Sequence, residues 1–245
     1  MMPTEIATQD GPCRAWVFRP EGTGPWPGVL FYMDGIGIRP ALFEMGERIA
    51  KHGYFVLLPD MFFRAGPYEA PDPKKLFGDP NVRQAWFEKI RPHMNPANAM
   101  VDTRAFLDFL AAQADVRQPR FGTTGYCMGG GMSLTAAGTF PDRIAAAAAF
   151  HPAGLATDQP TSPHLLAPKI KARVYVAGAS EDQNFPDEQK ARLDAALTDA
   201  GVAHTVETYP ARHGWVPSDT PVHDPAQAER AWTSLFELFD KTLRD

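Results

Sequence analysis

The stretch FGTTGYCMGGG, residues 121–131, decides the fold of this chain of 245 residues. Its first half favours a β-strand and ends in a Gly-x-Cys-x-Gly pattern centred on Cys127, and the MSLTAA run that follows predicts a helix. A sharp turn from strand to helix strains the central residue, and side chains two positions away on either side would collide with the turn. The pattern therefore predicts that Cys127 stands at a helix N-terminus, where the partial positive charge favours a thiolate. The alternative is a buried structural cysteine in a glycine-rich turn, because free cysteine is often buried.

Strand and helix patterns alternate along the rest of the chain. The apolar run WPGVLFYM, residues 26–33, is typical of a strand buried on both faces. Such alternation predicts an α/β fold in which helices cover both faces of a mostly parallel sheet, and the length fits a single domain over residues 1–245. Strands are predicted at 4–10, 13–19, 26–33, 54–58, 121–126, 144–150, 172–178 and 204–209, and helices at about 41–52, 97–113, 132–140, 186–201 and 226–243.

Residues 61–96 interrupt this alternation. Six prolines break regular patterning there, while six aromatic side chains make the segment too apolar for disorder. We expect a cap or pocket wall, with a short helix around residues 82–90. The alternative is ordinary packing on the surface.

Composition narrows the classes of protein that the chain can belong to. A hydrophobic fraction of 44% supports a sizeable core, and a net charge of −5 gives no reason to expect nucleic acid or an anionic membrane as a partner. The two cysteines, Cys13 and Cys127, form no disulfide framework, and no signal peptide or apolar run of about 20 residues is visible. We therefore expect reduced thiols and a cytoplasmic protein.

Four reactive side chains follow predicted strands, namely Asp34, Cys127, Asp182 and His213. The carboxyl ends of parallel strands meet at one edge of a sheet, where ligands bind. A thiol needs a base to remove its proton, and histidine can return that proton to a leaving group. A carboxylate on the far ring nitrogen orients the imidazole, and Glu181 competes with Asp182 for this role.

Further residues complete the predicted site. The N–H of Met128 and that of Gly35 or Ile36, in the loop after an early strand, are candidate donors to an oxyanion. No histidines or cysteines have the spacing of metal ligands, so we expect no metal site. Candidate residues around the pocket are Asp34, Tyr126, His151, Arg212, Trp215, Arg39, Arg64 and Trp86.

Four stretches together resemble the dienelactone hydrolase family: GYCMGG at 125–130, Pro59-Asp60, residues 178–186 and residues 212–214. The resemblance spans about residues 13–243. It implies a cytoplasmic, single-domain α/β hydrolase with a Cys-His-Asp triad and no cofactor. By this resemblance Cys127 is the nucleophile, Asp182 the acid and His213 the base.

The sequence departs from the family pattern at two positions. The family's thiol-activating glutamate is replaced by Asp34, whose side chain is one methylene shorter, and Pro217 stands where the type enzyme has an arginine for a substrate carboxylate. Arg39, Arg64, Arg83 and Arg212 remain candidates by location.

The substrate expected from these features is a small ester or lactone, and the aromatic pocket suits an apolar one. Two hypotheses remain open. The first is an esterase or lactonase with an acyl-cysteine intermediate, as a monomer or homodimer, and the second is a non-catalytic protein that binds a small molecule.

Overall fold

One sheet of eight strands organises the computed structural model, which describes residues 1–93 and 96–244. The order across the sheet is β1-β2-β4-β3-β5-β6-β7-β8. Strand β2 is antiparallel to both of its neighbours, and the six strands β3 to β8 are parallel to one another. The predicted α/β-hydrolase architecture is confirmed. The strands are β1 (Met2–Thr8), β2 (Gly11–Phe18), β3 (Trp26–Tyr32), β4 (Phe55–Pro59), β5 (Val116–Tyr126), β6 (Ile144–Phe150), β7 (Arg173–Ala179) and β8 (His204–Tyr209).

Seven α-helices of the described chain cover both faces of this sheet. Adjacent residues of β5 point to opposite faces of the sheet. A Cβ on Gly122 would meet Phe239 of one helix. The hydroxyl of Thr123, the next residue, forms a hydrogen bond of 2.8 Å with the hydroxyl of Ser133 in another helix. The helices of Phe239 and Ser133 therefore lie on opposite faces. The helices are α1 (Pro40–Lys51), α2 (Pro73–Gly78), α3 (Pro80–Ile90), α4 (Pro96–Ala111), α5 (Met128–Thr139), α6 (Asp187–Asp199) and α7 (Pro225–Leu243).

The irregular segment contains more helix than the sequence analysis predicted. The helix expected at 82–90 is α3, and α2 precedes it. Asp72 and Asp79 cap these helices through their side chains, and each is followed by a proline at the first helical position. Met94 and Asn95 of the predicted cap, and Asp245 at the end of the predicted domain, lie outside the described residues.

The parallel strands bring the predicted reactive groups to one edge of the sheet. Asp34 follows β3, Cys127 follows β5, Asp182 follows β7 and His213 follows β8. Because these strands run in the same direction, the loops after them converge. In the part of the chain that is described, no helix is both long enough and apolar enough to cross a membrane.

Candidate active site

The turn between β5 and α5 holds Cys127 in a left-handed backbone conformation, with φ of 53°. A Cβ on Gly125 would lie 1.9 Å from the carbonyl oxygen of Gly129, and one on Gly129 would lie 2.4 Å from that of Tyr32. The Cys127 N–H donates to the carbonyl of Phe150 at 3.0 Å. Only glycines fit on both sides of this turn, and Cys127 remains partly exposed at its apex.

His213 and Asp182 form an oriented pair beside this cysteine. The Nδ1 of His213 lies 2.8 Å from Oδ2 of Asp182, whose side chain is completely buried. The other oxygen of Asp182 accepts the Asn184 N–H at 2.9 Å. Asp182, not Glu181, therefore contacts the imidazole.

The charges around His213 favour its protonated form. Burial lowers the pKa of His213, but hydrogen bonds to Asp182 and Cys127, with the negative charge of both partners, outweigh burial and raise it to about 10. Burial likewise raises the pKa of Asp182, yet the hydrogen bond and charge of His213 bring it below its usual value. Since Asp182 occupies Nδ1, Nε2 is the nitrogen left for the Cys127 sulfur.

The loop after β3 offers a narrower choice of oxyanion donor than the sequence predicted. The N–H of Ile36 already donates to Oδ1 of Asp34 at 3.0 Å, so Ile36 is not free to bind an oxyanion. The N–H of Gly35 has no acceptor within residues 1–93 and 96–244. Met128 begins α5, where N–H groups have no partner within the helix. Gly35 and Met128 are the two remaining candidates.

Asp34 and Arg39 differ from the sequence predictions. Both oxygens of Asp34 bond Arg39, at 2.8 and 2.9 Å, instead of the sulfur of Cys127. Arg39 also donates to Asp219, from Nε at 2.7 Å and Nη2 at 3.2 Å, and to the Gly37 carbonyl at 3.2 Å. All five donors of its guanidinium are occupied, so Arg39 is a buried structural link and not a free group for a substrate carboxylate.

Arg64 is also committed to internal partners. It pairs with both oxygens of the buried Asp102, at 2.7 and 2.8 Å, and with Asp10 at 2.7 Å. These contacts join the segment after β4 to α4 and to the β1–β2 turn. Arg64 therefore has a structural role and does not face the pocket, contrary to prediction.

A cavity of about 760 Å³ opens beside His213. Lys74, Arg83 and Arg212 line it, and none of these three exposed side chains pairs with an acid in the described residues. Glu181 is the acidic side chain that lines the cavity besides the Asp182 bonded to His213. Arg212, one of the candidate pocket residues, lies on this cavity.

His151 lies directly behind His213. The two rings are 5.1 Å apart, edge to face, and Trp215 contacts His151 at the same separation from another side. Both ring nitrogens of His151 are buried without a hydrogen-bond partner in the described chain. Burial and the charge of His213 hold the pKa of His151 well below its usual value, so this ring is neutral.

Tyr126 and Trp215 lie in the core and do not line the pocket, contrary to prediction. Tyr126 is stacked on Phe150 with ring centroids 5.3 Å apart, and Trp215 is stacked on Tyr209 at 5.1 Å. Tyr126 is the last residue of β5 and Trp215 lies in the loop after β8, and both side chains are buried.

Residues 61–96 support the loop after β3. The Nε1 of Trp86 donates to the Gly35 carbonyl at 2.9 Å, and the Tyr68 hydroxyl accepts the Ile38 N–H at 3.2 Å while donating to Asp60 at 2.6 Å. Trp86 was predicted near the pocket. Tyr68 was not identified from the sequence, although its aromatic type in an irregular segment was a usable signal.

Asp219 and Asn184 were also missed. Asp219 pairs with Arg39 across 180 positions of sequence, and no local pattern marks that contact. Asn184 holds Asp182 from two residues away, in an Asx-type turn that its spacing could have suggested. In residues 1–93 and 96–244, no cluster of three or more acidic, histidine or cysteine side chains could hold a metal ion.

Similar proteins share both the sequence and the fold over almost the whole chain. A Synechocystis protein, provisionally named a carboxymethylenebutenolidase, is 24% identical over 98% of this chain and 96% of its own length. A solved structure from Klebsiella pneumoniae, provisionally named a dienelactone hydrolase, superposes with a TM-score of 0.84 at 21% identity and covers 98% of both chains. A dienelactone hydrolase-like promiscuous phosphotriesterase from metagenomic libraries superposes with a TM-score of 0.75 at 24% identity, again over 98% of both chains.

The model of the dienelactone hydrolase family matches residues 13–243. This range includes every strand from β3 onward and all four of the reactive side chains predicted at strand ends. The chain is a hydrolase that belongs to the dienelactone hydrolase family.

Proposed function

We propose that the protein hydrolyses small esters or lactones through an acyl-cysteine intermediate on Cys127. The observation that carries this proposal is the hydrogen-bonded pair of His213 and Asp182 beside Cys127, which stands partly exposed at the apex of a strained turn. These are the parts of a nucleophile, a base and an orienting acid. The alternative of a non-catalytic binding protein assigns no use to this arrangement.

Acylation begins with the Cys127 sulfur as a thiolate and His213 as an imidazolium. The sulfur attacks the carbonyl carbon of the substrate, and the carbonyl electron pair moves to oxygen, which the N–H groups of Gly35 and Met128 stabilise. The C–O bond of the ester then breaks. His213 gives its proton to the departing oxygen, so an alcohol leaves and a neutral imidazole faces a thioester.

Deacylation reverses these roles with water in place of the alcohol. The neutral imidazole of His213 takes a proton from water, the hydroxide oxygen attacks the thioester, and the C–S bond breaks. A carboxylic acid leaves, its proton is released to solvent, and the imidazolium–thiolate pair is restored. Asp182 remains ionised throughout and stabilises the charged imidazole.

The cavity beside His213 supports a substrate with an anionic group. Arg39 and Arg64 form ion pairs with internal acids. The cations that line the cavity and have no acidic partner in the described residues are Lys74, Arg83 and Arg212. Guanidinium groups bind carboxylates in a forked geometry. We therefore assign a carboxylate-bearing ester or lactone as the preferred substrate, in line with the name carried by the Synechocystis relative.

Residues 61–96 act as the wall of this pocket within a single domain. Lys74, Phe77 and Arg83 line the cavity from this segment, while Trp86 holds the Gly35 carbonyl. We also place the protein in the cytoplasm, because Cys13 and Cys127 are both free thiols.

Hydrolysis of p-nitrophenyl acetate tests the proposal. The wild-type protein is expected to release a burst of p-nitrophenol equal to the enzyme concentration, followed by slower turnover. Cys127→Ala is expected to lose both, with a fall in kcat on the order of 10⁴-fold or more. Cys13→Ala is the matched control, since this thiol lies outside the site. Undiminished hydrolysis by Cys127→Ala would rule the proposal out.

A further inference from the structure

A second pocket, of about 340 Å³, shares no lining residue with the cavity beside His213. Its floor is the outer face of α5, where Met128, Gly131, Met132 and Thr135 follow helical spacing. Met128, which lines this pocket, directly follows Cys127 and is the proposed oxyanion donor, so the pocket borders the residue next to the nucleophile. Its volume is within the range of about 300–1,000 Å³ that is usual for small-molecule sites.

The lining of this pocket is chemically unlike the cavity beside His213. Three methionines, two from α5 and Met100 from α4, and two prolines line it beside uncharged polar side chains such as Thr135 and Gln159, and no charged side chain of the described chain lines it. Methionine is flexible and polarizable, so such a surface adapts to apolar chains of different length.

The remaining wall is held in place by hydrogen bonds. The Ser162 hydroxyl accepts the Thr157 N–H at 2.9 Å and donates to the Leu155 carbonyl at 3.2 Å. The Gly154 N–H donates to the carbonyl of Asn184 at 2.9 Å, and this contact joins the wall to the loop that carries Asp182. The pocket is therefore formed before any ligand binds.

The four bonds of the attacked carbon point in different directions, so each substituent of the substrate faces a different part of the site. In the tetrahedral intermediate, one bond goes to the Cys127 sulfur, one to the oxyanion at Gly35 and Met128, and one to the departing oxygen. The departing oxygen must face His213, which gives it a proton. The acyl chain therefore takes a different direction, away from His213.

From this placement we propose that the pocket of Met100, Met128, Gly131 and Met132, the acyl pocket, binds the unbranched apolar acyl chain of the substrate ester. The inference rests on the proposed function and makes it more specific. The substrate then joins an apolar acyl group, in the acyl pocket, to a leaving group that enters the cationic cavity beside His213.

Chain-length selectivity tests the acyl pocket. The probes are the p-nitrophenyl esters of acetic, butyric and hexanoic acid, and the readout is the ratio of kcat/KM for hexanoate to that for acetate. Burial of each added methylene is worth about fourfold, so we expect kcat/KM to rise steeply with length in the wild-type protein. A flat or falling series would overturn the inference, even if acetate is turned over by Cys127 as proposed.

Two variants with a changed lining residue test whether the acyl pocket causes the preference for longer acyl chains. A Cβ on Gly131 would have no neighbour closer than 3.7 Å, so Gly131→Leu fits the backbone and fills the pocket. It should lower the hexanoate-to-acetate ratio by about tenfold or more, since two or more methylenes lose their place. Met100→Ala should do the opposite and extend the preference to longer chains.

Thr139→Leu is the matched control, because it places the same leucine side chain at an exposed position of α5 outside the pocket. Its ratio should match that of the wild-type protein. An equal change of ratio in Thr139→Leu and Gly131→Leu, or no change in both Gly131→Leu and Met100→Ala, would overturn the acyl pocket. Retained acetate hydrolysis in Cys127→Ala would instead overturn the proposed function, so the two failures are distinguishable.

Discussion

The two cysteines of this protein have the same side chain and opposite surroundings. Cys13 lies in β2, completely buried, where its sulfur donates to the carbonyl of Asp60 at 3.4 Å. Burial and the charges of Asp60 and Asp102 raise the pKa of the Cys13 thiol far above its usual value. Cys127 is partly exposed on a strained turn, beside His213. The comparison shows that backbone position, rather than residue type, decides which thiol can react.

Alkylation should separate the two thiols by the largest factor. Iodoacetamide at neutral pH should modify Cys127 in the folded protein, whereas Cys13 should react only when the protein opens. Opening costs at least about 5 kcal/mol for a stable core, so we expect rates that differ on the order of 10⁴-fold or more. Mass spectrometry of digested protein over time measures both rates. Comparable labelling of the two residues would refute the contrast.

Replacing Asp182, the acid that contacts His213, should have the next largest effect, a loss of kcat. Asp182→Asn should lower kcat by about 10²–10⁴-fold, because the amide no longer fixes the ring tautomer or balances the imidazolium. Glu181→Gln is the matched control and should lose far less, since Glu181 does not contact the ring. Steady-state kinetics with p-nitrophenyl acetate gives both values, and a larger loss in Glu181→Gln would transfer the role to that residue.

The charge of His213 should make stability depend on pH. Its pKa rises from the ordinary 6.5 to about 10 in the folded protein, so between these pH values His213 holds a proton in the folded state that it has lost in the unfolded state. Stability from this group is therefore complete below pH 6.5 and is lost as pH rises through about 10, by an amount on the order of a few kcal/mol.

Urea unfolding at pH 6.5 and pH 9.5 measures this dependence. The free energy of unfolding of the wild-type protein should fall between the two pH values, and His213→Gln should remove most of the fall. If the free energy of unfolding of His213→Gln falls as much between the two pH values as that of the wild-type protein, groups other than His213 cause the fall.

Replacing either cysteine with glycine should have the smallest effect, on the free energy of unfolding, and the two replacements should change it in opposite directions. Cys127→Gly should stabilise the protein by about 1 kcal/mol, because glycine accepts a φ of 53° without strain. Cys13→Gly should destabilise it by about 2–3 kcal/mol, since it leaves a cavity in a buried strand. Thermal and urea denaturation of both variants check the signs.

The sequence predicted the sheet and the location of the reacting groups, because strand ends and helix boundaries leave local marks. The glycines around Cys127, Gly53 after α1 and Pro225 at the start of α7 are marks of this kind. Helix α2 also had a mark, Asp72 followed by a proline, but it was obscured by the many prolines around it.

Side-chain direction was not predictable in the same way. Arg39 and Arg64 looked like free cations after strands, but each has an acidic partner far along the chain, Asp219 at 180 positions and Asp102 at 38 positions. Tyr126 precedes the reacting cysteine in sequence and points into the core because successive side chains of a strand face opposite sides. Such pairings depend on the tertiary fold, so a single sequence contains no local pattern for them.

The hydrogen bonds that shape the turn at Cys127 are made by main-chain atoms. The N–H of Cys127 reaches Phe150, its carbonyl accepts the N–H of Gly130, and the clearances around Gly125 and Gly129 are those of backbone against backbone. Exchanging sulfur for oxygen at this position would leave all of them intact. The same scaffold can therefore present a hydroxyl as readily as a thiol, and a change of attacking atom requires a single codon rather than a new loop.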